Sequence, residues 1–226
     1  MAYILTAEGG TYVYTGTSTG LIGTRQRHTP IPTYRTPFYN QVESRSPDYE
    51  YVDLQLNVMN AFIPVANAPT WRQFNYGVSG GVTFPALGFN INEYVQYVIQ
   101  TEHSVKILSD IQIHCHFTIP SAAPDTRYIA FQTDVIVADV FGNYTVASGS
   151  PFTYEIAVEP SAYGRHNVMH LATLNKENEK ISTIAMVNLK RIAASSGTDY
   201  SGEVYLNFVD AHVQLDSVGS REYFEK

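Results

Sequence analysis

Apolar and polar residues alternate over much of the chain after residue 50, a pattern typical of strands that bury one face. Turn-forming Gly, Pro, Asn and Asp residues separate the alternating stretches. Such spacing predicts an all-β fold, a jelly-roll-like β-sandwich. The predicted strands are eight, at residues 51–59, 93–100, 111–119, 127–140, 152–159, 167–174, 181–192 and 203–215.

One of these segments has an alternative interpretation. Val168, Leu171 and Leu174 also fit the spacing of an amphipathic helix, so the pattern leaves a helix open there.

The first 50 residues differ from the rest, because glycine and proline recur among Thr and Ser. Proline removes a backbone donor and glycine weakens local order, so an independent core is not expected. We therefore predict an extended N-terminal arm at residues 1–50 and a β-sandwich domain at residues 51–226. A flexible terminus is the alternative, but the arm is rich in aromatic residues, which we expect to bind partner subunits: Tyr12, Tyr14, Tyr34, Phe38 and Tyr39.

The composition favours assembly. Charged residues are 15% of the chain, against about 25% in an average soluble protein, and there are 17 Tyr and 1 Trp. Tyrosine offers a large contact area with a polar tip, so we expect a homo-oligomer, a trimer.

Charge and hydropathy exclude other partners. The net charge of −7 argues against a nucleic-acid groove, which needs a basic stripe. No apolar run approaches the ~20 residues that span a bilayer, and no secretory signal is visible, so we expect synthesis in the cytoplasm. Cys115 is the single cysteine and is predicted to be a small buried hydrophobe.

Histidines form the main candidate site. In DIQIHCHF, His114 and His116 share the polar face of one strand, and two imidazoles at alternate positions can reach the same ion. In the last strand, strict alternation places Val204, Leu206 and Phe208 on the same side as Asp210 and His212. We expect the two strands to meet. A hydrogen-bonded structural cluster is the favoured interpretation and a structural metal ion the second. A catalytic metal is disfavoured, because no base or open coordination position is evident.

The same motifs carry a resemblance. The H-x-H strand and the C-terminal D-x-H strand, followed by DSVGSREYFEK, resemble a family of tailed-bacteriophage structural proteins. The segments PTWRQF and LKRIAASSGTDY extend the similarity over roughly residues 69–226, while Phe117 stands where the family usually has Trp. The resemblance adds His103, in QTEHSV, to the histidine set and implies a virion component.

These observations predict a phage virion structural protein, such as a capsid decoration, head-fibre, tail or collar protein. The expected partners are copies of itself and other capsid or tail proteins, with no nucleic acid and no membrane. The alternative function is a receptor- or glycan-binding fibre domain that uses Trp71 and Tyr76. We expect no enzymatic activity, since no G-x-S-x-G nucleophile motif occurs, and no cofactor apart from a structural metal ion.

Overall fold

The structure, a computed structural model, describes residues 2–7, 10–15, 50–75, 81–175 and 180–216. The chain divides into two units, Met1–Ser46 and Pro47–Lys226. In the first unit, strands β1 (Ala2–Ala7) and β2 (Gly10–Thr15) form an antiparallel hairpin. Tyr12 and Tyr14 lie on β2. The other aromatic residues proposed for the arm, Tyr34, Phe38 and Tyr39, lie outside the described residues.

The described part of the second unit consists of strands joined by loops and turns. No helix among these residues is long and apolar enough to cross a membrane. Short 3-10 turns at Val58–Asn60 and Pro160–Ala162 follow β3 and β10. The strands are β3 (Glu50–Asn57), β4 (Thr70–Phe74), β5 (Phe84–Phe89), β6 (Tyr94–Gln100), β7 (Ile111–Thr118), β8 (Arg127–Ala138), β9 (Thr145–Val146), β10 (Phe152–Val158), β11 (Asn167–Leu174), β12 (Ile184–Ile192) and β13 (Val204–Leu215).

Two antiparallel sheets make up the described part of this unit, and their strand order is that of a jelly roll. A six-stranded sheet has the order β11-β7-β13-β5-β4, with β3 also paired to β13; a five-stranded sheet has the order β10-β8-β12-β6, with β9 paired to β8. The strand pairs are nested along the chain: β8 pairs with β10, β7 with β11, β6 with β12, and β5 with β13. This confirms the predicted all-β, jelly-roll-like fold.

Each of the eight predicted segments contains an observed strand, and residues 167–174 form β11 rather than a helix. Strand β5 was not predicted, because its sequence FPALGF contains proline and glycine and does not alternate. Gly88 is needed there for close packing. A Cβ at this position would come within 3.0 Å of Arg72 Cγ and 3.2 Å of Glu203 Oε2, two residues whose side chains form an ion pair.

The hydrophobic core lies between the two sheets. On β7 the alternation is as predicted, with Ile111, Ile113, Cys115 and Phe117 fully buried. Burial raises the pKa of the Cys115 thiol, which keeps it a neutral apolar group.

Two β-bulges beside β7 change which side chains face outward. On β13 the register shifts between Leu206 and Phe208, so Val204 and Leu206 point into the core while Asp210 and His212 point out. The expectation that Val204 and Leu206 share a side with Asp210 and His212 was therefore wrong, since the bulge inserts one extra residue; Phe208, which follows the bulge, does lie on the outer face with them. On β11 a second shift, between His170 and Ala172, leaves Leu171 as the extra residue.

A buried arginine fixes the segment that leads into β13. Arg191 is 2% exposed, and its guanidinium donates hydrogen bonds to the backbone carbonyls of Phe89 at 2.7 Å, Gly202 at 2.7 Å and Tyr200 at 2.5 Å. Burial lowers the pKa of this group from its ordinary value. The three bonds tie β5, β12 and the start of β13 together, which sets the position from which β13 carries Asp210 and His212.

Replacing this arginine should destabilise the fold. Arg191→Met leaves the three carbonyls without their donor, and we expect the free energy of unfolding to fall by about 3 kcal/mol. Urea unfolding followed by circular dichroism measures the change. Lys190→Met, at the neighbouring and partly exposed position, is the matched control and should change stability by less than about 1 kcal/mol. Equal effects of the two substitutions would contradict the structural role of Arg191.

Candidate functional site

A cluster of histidines covers part of the outer face of the six-stranded sheet. Strand β7 supplies His114 and His116, and in register with His114 lie His170 on β11 and Asp210 on β13. With His166 and His212, five of the six histidines that the structure describes belong to this histidine cluster. Paired residues on neighbouring strands lie about 5 Å apart, so the register brings the imidazoles into contact.

Asp210 lies at the centre of the histidine cluster and is 2% exposed. Its Oδ2 atom is 3.1 Å from His116 Nε2 and 3.4 Å from His212 Nε2, and its Oδ1 atom is 3.8 Å from His114 Nδ1. Among the described residues its ion-pair partners are all imidazoles. A buried carboxylate needs a positive partner or several hydrogen-bond donors, so the cluster surrounds a group that is costly to bury.

A hydrogen-bonded chain holds His114 from the side away from Asp210. His114 Nε2 is 3.3 Å from His170 Nδ1, and His170 Nε2 is 3.0 Å from the Thr173 hydroxyl. The bulge on β11 puts His170 and Thr173 on the same face although they are three residues apart. Burial, then the proximity of His212, lowers the pKa of His114, and burial lowers that of His170, so both rings favour the neutral form.

A second chain holds His116. Because a carboxylate only accepts hydrogen bonds, His116 donates from Nε2 to Asp210, and its Nδ1 is hydrogen-bonded to His166 Nε2 at 2.7 Å. The ring also stacks on Phe208, with centroids 4.0 Å apart and planes inclined by 15°. These contacts fix both the tautomer and the orientation of His116.

Three residues of the cluster have the arrangement of metal ligands. One nitrogen each from His114 and His212 and one oxygen of Asp210 lie within 4.8 Å of one another. His212 is the outermost, with its side chain 35% exposed, and its Nε2 is 3.0 Å from Asp53 Oδ1 on β3. The donor set of two imidazoles and a carboxylate is one that zinc uses in proteins.

The structure brings together three of the four histidines proposed from the sequence. The ring centroids of His114 and His212 are 4.4 Å apart, which confirms that the two strands meet. His103 is not in this group and instead contacts Ser182, with Nε2 and Oγ 3.2 Å apart, because it lies on the loop between β6 and β7. The structure therefore does not bring His103 to the other three histidines.

Sequence reasoning missed two members of the cluster. His170 lies on a predicted strand three residues before Thr173, and strict alternation would place these two side chains on opposite faces. Alternation therefore gave no reason to group them. His166 lies in the loop just before β11 and carries no periodic signal. The only available indication that His166 and His170 belong to the cluster was their position in or next to a predicted strand.

The outer face of the other sheet carries a second feature, an apolar row. Val98, Met186, Ile136 and Val146 are cross-strand neighbours on β6, β12, β8 and β9. They are 55%, 40%, 36% and 68% exposed, respectively. The next row is polar, where Asn188 Nδ2 donates to Asp134 Oδ2 at 3.1 Å.

Of the two residues proposed for glycan contact, one is among the residues that the structure describes. Trp71 lies on β4, at the edge of the six-stranded sheet, and is 42% exposed. Tyr76 lies outside the described residues.

Comparisons with known proteins find no matching family model and no matching curated protein. Among solved structures, the chain is similar to a family 30 carbohydrate-binding module of the cellulosomal cellulase Cel9D-Cel44B of Clostridium thermocellum (9% identity, 71% of this chain, 96% of that chain, TM-score 0.35). It is also similar to TmCBM61, solved with β-1,4-galactotriose (9% identity, 71% and 86% coverage, TM-score 0.27). A third similar structure is that of infectious bursal disease virus Gx strain (12% identity, 92% and 42% coverage, TM-score 0.31). Similarities at this level assign no function.

The network around Asp210 predicts unequal effects of histidine substitutions. In metal-free buffer, His116→Ala removes a donor to the buried carboxylate and should lower the free energy of unfolding by about 1–3 kcal/mol. His103→Ala, outside the cluster, is the matched control and should cost less. Urea unfolding of both variants checks the prediction, and an equal or larger cost for His103→Ala would contradict it.

Proposed function

We propose that this chain is a structural protein of a bacteriophage particle that assembles as a homo-oligomer, a trimer, and binds other capsid or tail proteins. The observation that carries the proposal is the apolar row of Val98, Met186, Ile136 and Val146. The similarity of the C-terminal motifs to phage structural proteins supports a location in the virion, after synthesis in the host cytoplasm. Such a role requires no catalytic group.

The apolar row favours a protein partner for a physical reason. Strand neighbours are about 4.8 Å apart, so four residues in line give an apolar strip roughly 14 Å long. Isolated apolar residues are common on surfaces, but contiguous ones rimmed by polar groups are typical of protein interfaces. The polar row containing Asn188 and Asp134 supplies such a rim.

The β8–β9 loop extends the apolar character of this region. Phe141 is 87% exposed and Tyr144 is 58% exposed, in the loop that joins the two strands bearing Ile136 and Val146. Aromatic side chains are enriched at the centres of interfaces because each buries a large area. A second copy of the chain is the partner we propose, since a low share of charged residues leaves little charge to be desolvated when two copies associate.

Trp71 supports the alternative of glycan binding. Its indole is 42% exposed on the edge strand β4, opposite Leu87 and in the same sheet face as Pro85. An exposed aromatic ring on a rigid strand can stack on a sugar ring. The two functions differ in what they require of this residue, because it does not belong to the apolar row.

A charged residue in the apolar row should disrupt self-association. We expect wild-type protein to form a stable oligomer at micromolar concentration and Met186→Lys to weaken its association at least about 10-fold, because a lysine there must be desolvated on assembly. Analytical ultracentrifugation measures the effect. Val65→Lys, which introduces the same charge at a fully exposed loop position, is the control and should leave the oligomer intact. A monomeric wild-type protein, or an unchanged mass for Met186→Lys, would contradict the proposal.

Binding to polysaccharides separates the two functions. If the protein is an assembly subunit, purified oligomer should not bind host surface polysaccharide or a glycan array, and Trp71→Ala should leave assembly unchanged. Glycan binding that Trp71→Ala abolishes, with the oligomer intact, would replace the assembly proposal by the fibre-domain function.

A further inference from the structure

Two polar atoms in the histidine cluster face each other without a hydrogen-bond partner. His114 Nδ1 and Asp210 Oδ1 are both buried, and neither makes a hydrogen bond. They are 3.8 Å apart, which is too long for a hydrogen bond between them. A buried unsatisfied pair of this kind is costly, so the gap calls for a third group.

The other polar atoms of these two residues are already held. His114 Nε2 is bonded to His170, and Asp210 Oδ2 to His116. If His114 donates from Nε2 to His170, its Nδ1 carries a free lone pair, and His170 can donate in turn to Thr173. Two electron-rich atoms, a lone pair and a carboxylate oxygen, then face the same gap, an arrangement that a cation stabilises.

We propose that His114 Nδ1, Asp210 and His212 bind a divalent transition-metal ion, Zn²⁺. Two ligand atoms bound to one tetrahedral zinc ion at about 2.0–2.2 Å lie roughly 3.3 Å apart. The 3.8 Å gap closes to that distance by a small movement of the two side chains. His212 completes three protein ligands from the exposed side.

The surroundings have the features of a metal site beyond the ligands themselves. Metal-binding imidazoles are usually oriented by a hydrogen bond at the other ring nitrogen, as His170 orients His114, and ligating carboxylates are likewise hydrogen-bonded, as His116 bonds Asp210. Imidazole and carboxylate ligands suit zinc better than calcium or magnesium, which prefer oxygen alone.

The location of the site suggests a structural role for the ion. It would join β7 to β13 on the outer face of the six-stranded sheet, away from the apolar row on the other sheet. Zn²⁺ binding at the histidine cluster is therefore independent of self-association through the apolar row, and a negative result for one leaves the other untouched.

Zinc titration of the full chain tests the proposal. Protein stripped with a chelator and dialysed should bind one Zn²⁺ per chain by isothermal titration calorimetry, and the ion should raise the melting temperature because it binds only the folded state. His212→Gln should weaken binding at least about 100-fold and abolish the rise in melting temperature. His212 is partly exposed, so this variant is expected to fold. Asp210→Asn keeps nearly the same side-chain shape but removes the carboxylate, and it should also weaken Zn²⁺ binding.

Matched histidine variants locate the ion. His103→Gln lies outside the cluster and should bind Zn²⁺ as the wild type does. His166→Gln removes a partner of His116 but no proposed ligand, so it should weaken binding by less than about 10-fold. Absence of binding by the wild type would overturn the proposal. Wild-type Zn²⁺ affinity in His212→Gln would also overturn it. So would a loss of Zn²⁺ affinity in His103→Gln or His166→Gln as large as the loss in His212→Gln.

Discussion

Strand β7 runs between β11 and β13 in the six-stranded sheet, and its alternation ties the hydrophobic core to the histidine cluster. One face places Ile113 and Cys115 in the core, and the other presents His114 and His116. A slip of one residue in the pairing of β7 would exchange these faces and bury imidazoles among aliphatic side chains. The same ladder therefore fixes both the packing of the sandwich and the geometry of the site.

The neighbours of β7 depart from regular pairing beside the cluster. Each carries a β-bulge there, between Leu206 and Phe208 on β13 and between His170 and Ala172 on β11. A bulge leaves one residue unpaired and reverses the facing of everything beyond it, so it redirects side chains without ending the strand. On β13 this lets one strand fill the core with Val204 and Leu206 and still turn Asp210 outward.

The two outer faces of the sandwich have different chemistry. The six-stranded sheet displays polar, hydrogen-bonded imidazoles around a buried carboxylate, whereas the five-stranded sheet displays a row of aliphatic side chains. Neither face contributes to the core, so neither is explained by folding alone. An apolar strip is stabilised by removal from water against another protein, and a carboxylate ringed by imidazoles is stabilised by donors or by a cation. Because these features lie on separate faces, the proposed ion and the proposed partner subunit would not compete for the same surface.

The sequence by itself determined the class of fold and the strands that carry the site. Alternation identified eight strands and placed His114 and His116 on one face, because a strand side chain reverses direction at every residue. It did not reveal β5, whose Pro85 and Gly88 interrupt the pattern, nor the bulges that set the facing of Asp210 and joined His170 to the cluster. It also grouped His103 with residues that the loop after β6 keeps apart from it. Only the tertiary structure decided these points. A bulge, or a contact between distant segments, depends on which strands pair and in what register, and local periodicity contains no information about pairing or register.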